Sequence, residues 1–177
     1  MKKKAIFLDR DGTINALVPN KPFIDNLDDV KLLPYVKEWL KKLKSMGYLL
    51  IVITNQTWVG AGYYTKELAE SINDKIQTLL WFKFDAIYSC YHYPDPNCSC
   101  GCRKPATWNV EKAIKDFNID VKQSYFVWDK EKDILTWKKV WCKATFLIWE
   151  STNTEANYVV KNFKQVVDIL EKDFWST

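Results

Sequence analysis

The sequence is poor in glycine. It has 5 glycines in 177 residues, about 3% against a usual ~7%, so turns that need a left-handed backbone have few residues suited to them. It also lacks any apolar run near the ~20 residues of a membrane span. Behind Met1-Lys2-Lys3-Lys4 stand only four apolar residues before Asp9, too few for the core of a signal peptide. Both shortages point to a cytoplasmic chain with no membrane partner. No repeat, linker or low-complexity stretch interrupts residues 1–177, so a single domain is expected. The net charge is only +4 and the lysines are scattered. No basic and aromatic residues interleave as in a nucleic-acid surface, so no nucleic-acid partner is expected.

Tryptophan and cysteine are plentiful by contrast. There are 9 Trp, 5 Cys and a single histidine. Cys90, Cys98, Cys100 and Cys102 surround His92. In a cytosolic chain this grouping reads as a metal site rather than as disulfides. It offers five candidate ligands for the four tetrahedral positions of Zn²⁺. Cys142 stands apart and is expected in the core.

Apolar runs predict strands over residues 4–8, 48–53, 84–89, 124–127 and 144–148. Helical spacing predicts helices over 34–46, 65–80, 109–117, 132–140 and 157–171, with Gly47 closing the first and Thr65 capping the second. Strands alternating with helices argue for an α/β fold: a Rossmann-like three-layer α/β/α arrangement around a mainly parallel sheet. Such sheets place their sites at the C-terminal ends of strands. Asp9, Thr54 and Asp129 each follow an apolar run.

Leu8-Asp9-Arg10-Asp11-Gly12-Thr13 is the sharpest motif. Two carboxylates two residues apart at a strand end can share a pocket, one as nucleophile and the other as proton carrier. The same D-x-D-G pattern also suits a simple Asx turn. Thr54-Asn55 offers a hydroxyl and backbone N–H groups to phosphate oxygens, and Arg103-Lys104 offers positive charge. Asp129, Lys130 and Asp133 add carboxylates of the kind a hard cation such as Mg²⁺ prefers.

The order Asp9-x-Asp11-Gly12-Thr13, Thr54-Asn55, Lys104, Asp129-x-x-x-Asp133 resembles the haloacid dehalogenase superfamily of phosphatases along the whole chain. The runs Phe7–Asn15 and Thr54-Asn55-Gln56, the Cys/His loop ending in Arg103-Lys104-Pro105, and Asp129-Lys130 are similar to one family within it. That family is the D-glycero-D-manno-heptose 1,7-bisphosphate 7-phosphatases, with histidinol phosphatases as relatives. The resemblance implies a Mg²⁺-dependent phosphatase without a large cap domain, acting as a monomer on a small phosphorylated sugar or metabolite. It implies Asp9 as nucleophile and Asp11 as acid/base. Mg²⁺ would sit on Asp9, the Asp11 carbonyl and Asp129. Arg10, Thr54, Asn55, Arg103, Lys104 and Lys130 would bind phosphate or substrate, and Asp133 would orient Lys104. A structural zinc would take Cys90, His92, Cys100 and Cys102, with Cys98 as the alternative ligand.

The sequence departs from that family in one systematic way: Trp58, Trp108, Trp128, Trp137 and Trp141 stand where the family carries glycine. Two expectations follow. Either UGA codons read as glycine have been written as tryptophan, or the chain has diverged and large rings fill a pocket or core. In the second case an inactive zinc-loop protein that binds a phosphorylated ligand becomes the competing reading.

Overall fold

The computed structural model describes residues 2–94, 100–148 and 154–175. Six strands form one sheet in the order β3-β2-β1-β4-β5-β6. They are β1 (Ala5–Leu8), β2 (Leu49–Asn55), β3 (Ala86–Cys90), β4 (Tyr125–Trp128), β5 (Ala144–Ile148) and β6 (Tyr158–Val160). All five pairings are parallel. The helices are α1 (Val36–Ser45), a single turn α2 (Thr57–Gly60), α3 (Lys66–Leu80), α4 (Trp108–Phe117), α5 (Glu131–Lys138) and α6 (Phe163–Trp175).

The continuous apolar runs come from burial on both faces. Ala5, Ile6, Phe7 and Leu8 of the central β1 are all fully buried, as a parallel strand covered by helices on each side must be. Side chains alternate between the two layers. Ile6, Leu8, Leu50 and Val52 pack with Leu40 of α1, Ile72 and Ile76 of α3 and Val167 of α6. Ala5, Phe7, Ile51 and Ile53 pack with Val110 of α4 and Ile134 and Trp137 of α5. The predicted caps are in place: the Thr65 hydroxyl accepts from Leu68 N at 3.2 Å, and Gly47 takes φ 82° behind α1.

Two expectations change. Residues 158–160, predicted as the start of the last helix, are instead the edge strand β6, paired with β5. The cause is local. Tyr158-Val159-Val160 favours extended backbone, and Asn157 fixes the entry, its Oδ1 accepting from Thr145 N at 3.0 Å while its own N–H donates to Thr145 Oγ1 at 2.8 Å. Cys142 lies half-buried at the rim of the second layer rather than inside it.

The tryptophans divide sharply. Trp128 and Trp137 are fully buried. Trp128 stacks with Phe126 at 5.4 Å, and Trp137 meets the same ring edge-on at 4.6 Å. The chain thus finds room for both indoles in its core. Their Nε1 atoms find no partner among the described residues. Trp81 and Trp141 are 79% exposed and hold φ of 64° and 59°.

Candidate active site

Asp9 leaves β1 beside β2 on one flank and β4 on the other, so the polar residues ending these three strands converge on one edge of the sheet. Asp9, Asp11, Thr54, Asn55, Arg103, Lys104, Lys130 and Asp133 line a cavity of about 260 Å³ there. Lys104 is its charge centre. Its Nζ lies 3.0 Å from Asp9 Oδ2 and 3.3 Å from Asp133 Oδ2, and 4.1 Å from the centroid of the Trp128 ring. Lys104 Nζ thus lies between the Asp9 and Asp133 carboxylates. A larger apolar cleft of about 430 Å³ opens between the starts of α1 and α6, remote in chemistry from these carboxylates.

Gly12 makes the close packing here physically necessary. Its φ is +83°, and a Cβ there would stand 2.2 Å from Asp129 Oδ2. Only a residue without a side chain lets the turn after Asp11 pass this close to Asp129.

Asp9, Asp129 and Asp133 present ligand atoms within 4.8 Å of one another. Burial raises the Asp9 pKa, with Lys104 pulling the other way and Asp133 and Asp11 adding to the rise. Burial and the Asp9 charge push Asp129 up to about 7. Asp129 Oδ1 and Asp133 Oδ1 are buried without a hydrogen-bond partner among the described residues. Crowded carboxylates with orphaned oxygens fit a hard divalent cation, which would supply the missing positive charge.

Asp11 behaves differently. Burial alone would raise its pKa, but the Arg10 guanidinium and hydrogen bonds from Arg10, Gln56 and Asn15 hold it below the usual carboxylate range. The Arg10 side chain is 2% exposed and is absent from the cavity lining. Its donors go to Asp11, Gln56 and Asn73, so the structure does not bring this side chain to a phosphate. Asn55 likewise uses its side-chain amide on the backbone of Lys104, accepting from its N–H at 3.0 Å and donating to its carbonyl at 3.2 Å. Of the phosphate and substrate contacts expected from the sequence, the side chains of Thr54, Arg103, Lys104 and Lys130 remain for the cavity they line.

Gln56, Tyr64 and Asn73 escaped the sequence reading, as did an aromatic wall. Phe23, Trp58, Tyr63 and Tyr64 are mutually packed at 5.1–5.7 Å, and Phe23, Trp58 and Tyr64 line the cavity. Asn73 had a signal: it is a polar residue within the apolar stripe Ala69, Ile72, Ile76, Leu80 of α3.

Beyond β3, Cys90, His92, Cys100 and Cys102 come together. Cys90 Sγ lies 3.1 Å from Cys102 Sγ and 3.7 Å from Cys100 Sγ, and His92 Nδ1 lies 3.2 Å from Cys102 Sγ. Ligands about 2.3 Å from a tetrahedral zinc stand roughly 3.8 Å apart, so the group is slightly tighter than a Zn²⁺ site and would open a little to hold the ion. Burial and the neighbouring thiols push Cys90 up to about 12, which a bound cation would reverse. Cys98 lies outside the described residues. The group joins the cavity through Arg103, next to Cys102, whose guanidinium donates to Thr57 Oγ1. Gly60 lets α2 touch this loop: a Cβ there would stand 2.4 Å from the Tyr91 carbonyl oxygen.

Comparison with known proteins agrees with this arrangement. A model of the polynucleotide kinase 3 phosphatase family matches residues 4–169. The chain is 34% identical to the D-glycero-beta-D-manno-heptose-1,7-bisphosphate 7-phosphatase of Helicobacter pylori, over 95% of this chain and 98% of that one. It is 36% identical to the Haemophilus ducreyi enzyme of the same name, over 84% of each. The D,D-heptose 1,7-bisphosphate phosphatase of B. bronchiseptica, solved with magnesium and phosphate, shares the fold with a TM-score of 0.85 at 24% identity, covering 96% of this chain and 99% of that one. The fold and the strand-end carboxylates define a phosphatase of the haloacid dehalogenase type, and within that class the chain belongs to the family of the heptose 1,7-bisphosphate 7-phosphatases.

Proposed function

We propose that this phosphatase removes the 7-phosphate of a D-glycero-D-manno-heptose 1,7-bisphosphate, acting in the cytoplasm as a monomeric single domain over residues 1–177. The observation that carries this reading is the buried Lys104 bridge between Asp9 and Asp133 in the cavity lining, together with the names borne by the relatives. The Asp9 carboxylate attacks phosphorus, forming an aspartyl ester as the bond to the leaving sugar oxygen breaks. Asp11, whose resting site favours the ionised form, takes up a proton in the substrate complex and gives it to that oxygen, then takes one from the water that attacks the ester and frees phosphate. Arg10 N donates to Asp9 Oδ1 at 2.7 Å and fixes the nucleophile for in-line approach.

Lys104 and the Thr54 hydroxyl neutralise and hold the phosphoryl oxygens, helped by the backbone N–H groups near Asn55. Arg103 and Lys130 meet the rest of the substrate, and the Phe23–Trp58–Tyr64 wall gives the sugar's C–H faces an apolar surface. Asp9, the Asp11 carbonyl and Asp129 would hold Mg²⁺, which would supply positive charge against the charge developing on the phosphoryl group. Zn²⁺ on Cys90, His92, Cys100 and Cys102 would be structural, having four protein ligands and no open position.

The test is phosphate release with Mg²⁺ from heptose 1,7-bisphosphate and histidinol phosphate side by side, with Asp9→Asn as control. Release from the heptose ester that Asp9→Asn abolishes supports the proposal. Preference for histidinol phosphate would redirect the substrate assignment. Release from neither, restored by Trp→Gly changes, would favour recoded glycines. Release from neither even then would favour the inactive binding protein.

A further inference from the structure

Arg10 lies between the two motif carboxylates in sequence, yet its side chain turns away from the cavity into the protein. Every nitrogen of its guanidinium is engaged. Nε donates to Asp11 Oδ1 at 3.1 Å and Nη2 to Asp11 Oδ2 at 2.9 Å, a planar two-point fork. Nη2 also donates to Gln56 Oε1 at 2.8 Å, and Nη1 to Asn73 Oδ1 at 2.9 Å. Gln56 then straps the same carboxylate. Its Nε2 donates to Asp11 Oδ2 at 2.9 Å and to Thr54 Oγ1 at 2.8 Å, while its Oε1 also accepts from Tyr64 at 2.7 Å. Asn15 Nδ2 completes the set on Asp11 Oδ1 at 3.0 Å.

Two features mark this as more than a buried ion pair. The carboxylate it fixes still lines the cavity. Its anchor, Asn73, comes from α3, 63 residues away, and is buried among apolar neighbours at 2% exposure. A polar side chain in that stripe costs stability unless fully bonded, and its oxygen is spent on Arg10.

We propose that Arg10, anchored by Asn73 and strapped through Gln56, is a positioning residue that sets the plane of the Asp11 carboxylate for proton exchange with the leaving oxygen. This rests on the reading of Asp11 as acid/base. In the first half-reaction the Asp11 proton moves to the sugar oxygen as its bond to phosphorus breaks and the Asp9 oxygen bonds phosphorus. In the second, Asp11 takes a proton from water as the water oxygen bonds phosphorus and the aspartyl ester opens. Both transfers need the carboxylate held within about 0.5 Å and 10–20° of the productive geometry. A lysine would keep the charge of Arg10 without the fork.

The experiment compares two leaving groups with Mg²⁺ present: a sugar phosphate, whose alkoxide needs the proton, and p-nitrophenyl phosphate, whose phenolate leaves without it. Arg10→Lys is expected to lower kcat on the sugar phosphate by about 100-fold, within the range of a lost acid/base contribution, with KM within about threefold. Asn73→Leu is expected to lower it by about 10-fold, since the fork survives but loses its anchor. In both variants the first-turnover release of nitrophenolate should fall by less than about threefold. Equal losses on the two substrates would make the network merely structural and overturn the proposal, and so would no loss on either. Asp11→Asn separates this from the underlying reading. If it spares sugar-phosphate turnover, the acid/base assignment itself fails. If it abolishes turnover while Arg10→Lys and Asn73→Leu do not reduce it, only the positioning role fails. Should Arg10→Lys lose its cooperative melt, Asn73→Leu decides alone.

Discussion

The two polar clusters of this molecule, the carboxylates after β1 and β4 and the thiols after β3, are built by opposite means. The sheet assembles the first. Asp9, Lys104 and Asp133 are all at most 6% exposed, and each is held by partners from a different part of the chain. The second gathers residues of one loop and the end of one strand. Cys90 is buried, but His92 is exposed and Cys100 and Cys102 are only partly covered, and what links the four is contact among ligand atoms. One site exists because the fold exists; the other is a set of ligand atoms that could hold an ion.

The largest expected effects break this contrast at its glycines. Gly12→Ala forces a methyl into the Asp129 carboxylate and keeps a strained φ. We expect at least about 100-fold loss of kcat/KM, the scale of misplacing a reacting group by ~1 Å, with zinc content unchanged. Gly60→Ala instead pushes α2 off the Tyr91–Tyr93 backbone. It should cost roughly 1–3 kcal/mol by overpacking and raise KM more than it lowers kcat, because it disturbs the seat of Arg103 rather than Asp9. Steady-state kinetics and metal content by atomic absorption check both. Equal kinetic profiles would erase the distinction between the clusters.

Removing metals separates them next. Stripping the thiol site should lower the Tm and loosen the loop carrying Arg103, while stripping Mg²⁺ should abolish turnover with little change in the circular dichroism spectrum. The pH response sharpens this. In the metal-free protein Asp129 is raised from 3.8 to about 7. The folded chain then holds a proton that the unfolded chain has shed, so this group's contribution favours folding less as pH rises through that window. Mg²⁺ removes the penalty, so its stabilisation should grow between pH 5 and 8. A Tm gain on adding Mg²⁺ that is the same across that range would contradict this.

These contrasts also explain what the sequence made legible. Parallel strands buried on both faces spell themselves as apolar runs, so β1, β2, β4 and β5 and the polar residues after them could be read directly. The fate of a side chain among close partners could not. Nothing in the order Asp9-Arg10-Asp11 says that Arg10 faces inward, because that depends on Asn73 of α3 and Gln56 arriving beside it. Asn55 reads as a phosphate contact, and nothing in the sequence says that its side-chain amide is bonded to the Lys104 backbone. The edge strand β6 was hidden because Asn157 to Glu171 carries helical spacing, and only pairing with β5 makes its first residues extended.

The tryptophans carry the last contrast, where the sign of the stability change should reverse with burial and the exposed pair gives the smallest effects. Trp128→Gly empties a core site and should cost about 3–5 kcal/mol, even though it removes a buried N–H with no partner among the described residues. Trp81→Gly and Trp141→Gly act on exposed rings in left-handed backbone, at positions following α3 and α5 where glycine carries no Cβ penalty. Each should gain up to about 1–2 kcal/mol from relief of that strain, and ~1 kcal/mol corresponds to roughly 2–4 °C in Tm for a chain of this size. Trp141 should gain more. Trp81 gives up a cation–π contact with Lys37, whose Nζ lies 3.4 Å from the ring centroid, worth about 0.5–1 kcal/mol at an exposed site. Glycine read from UGA at codons 81 and 141 would account for both conformations. UGG at those codons, or a fall in Tm on either substitution, would leave the left-handed tryptophans as native strain that this chain tolerates.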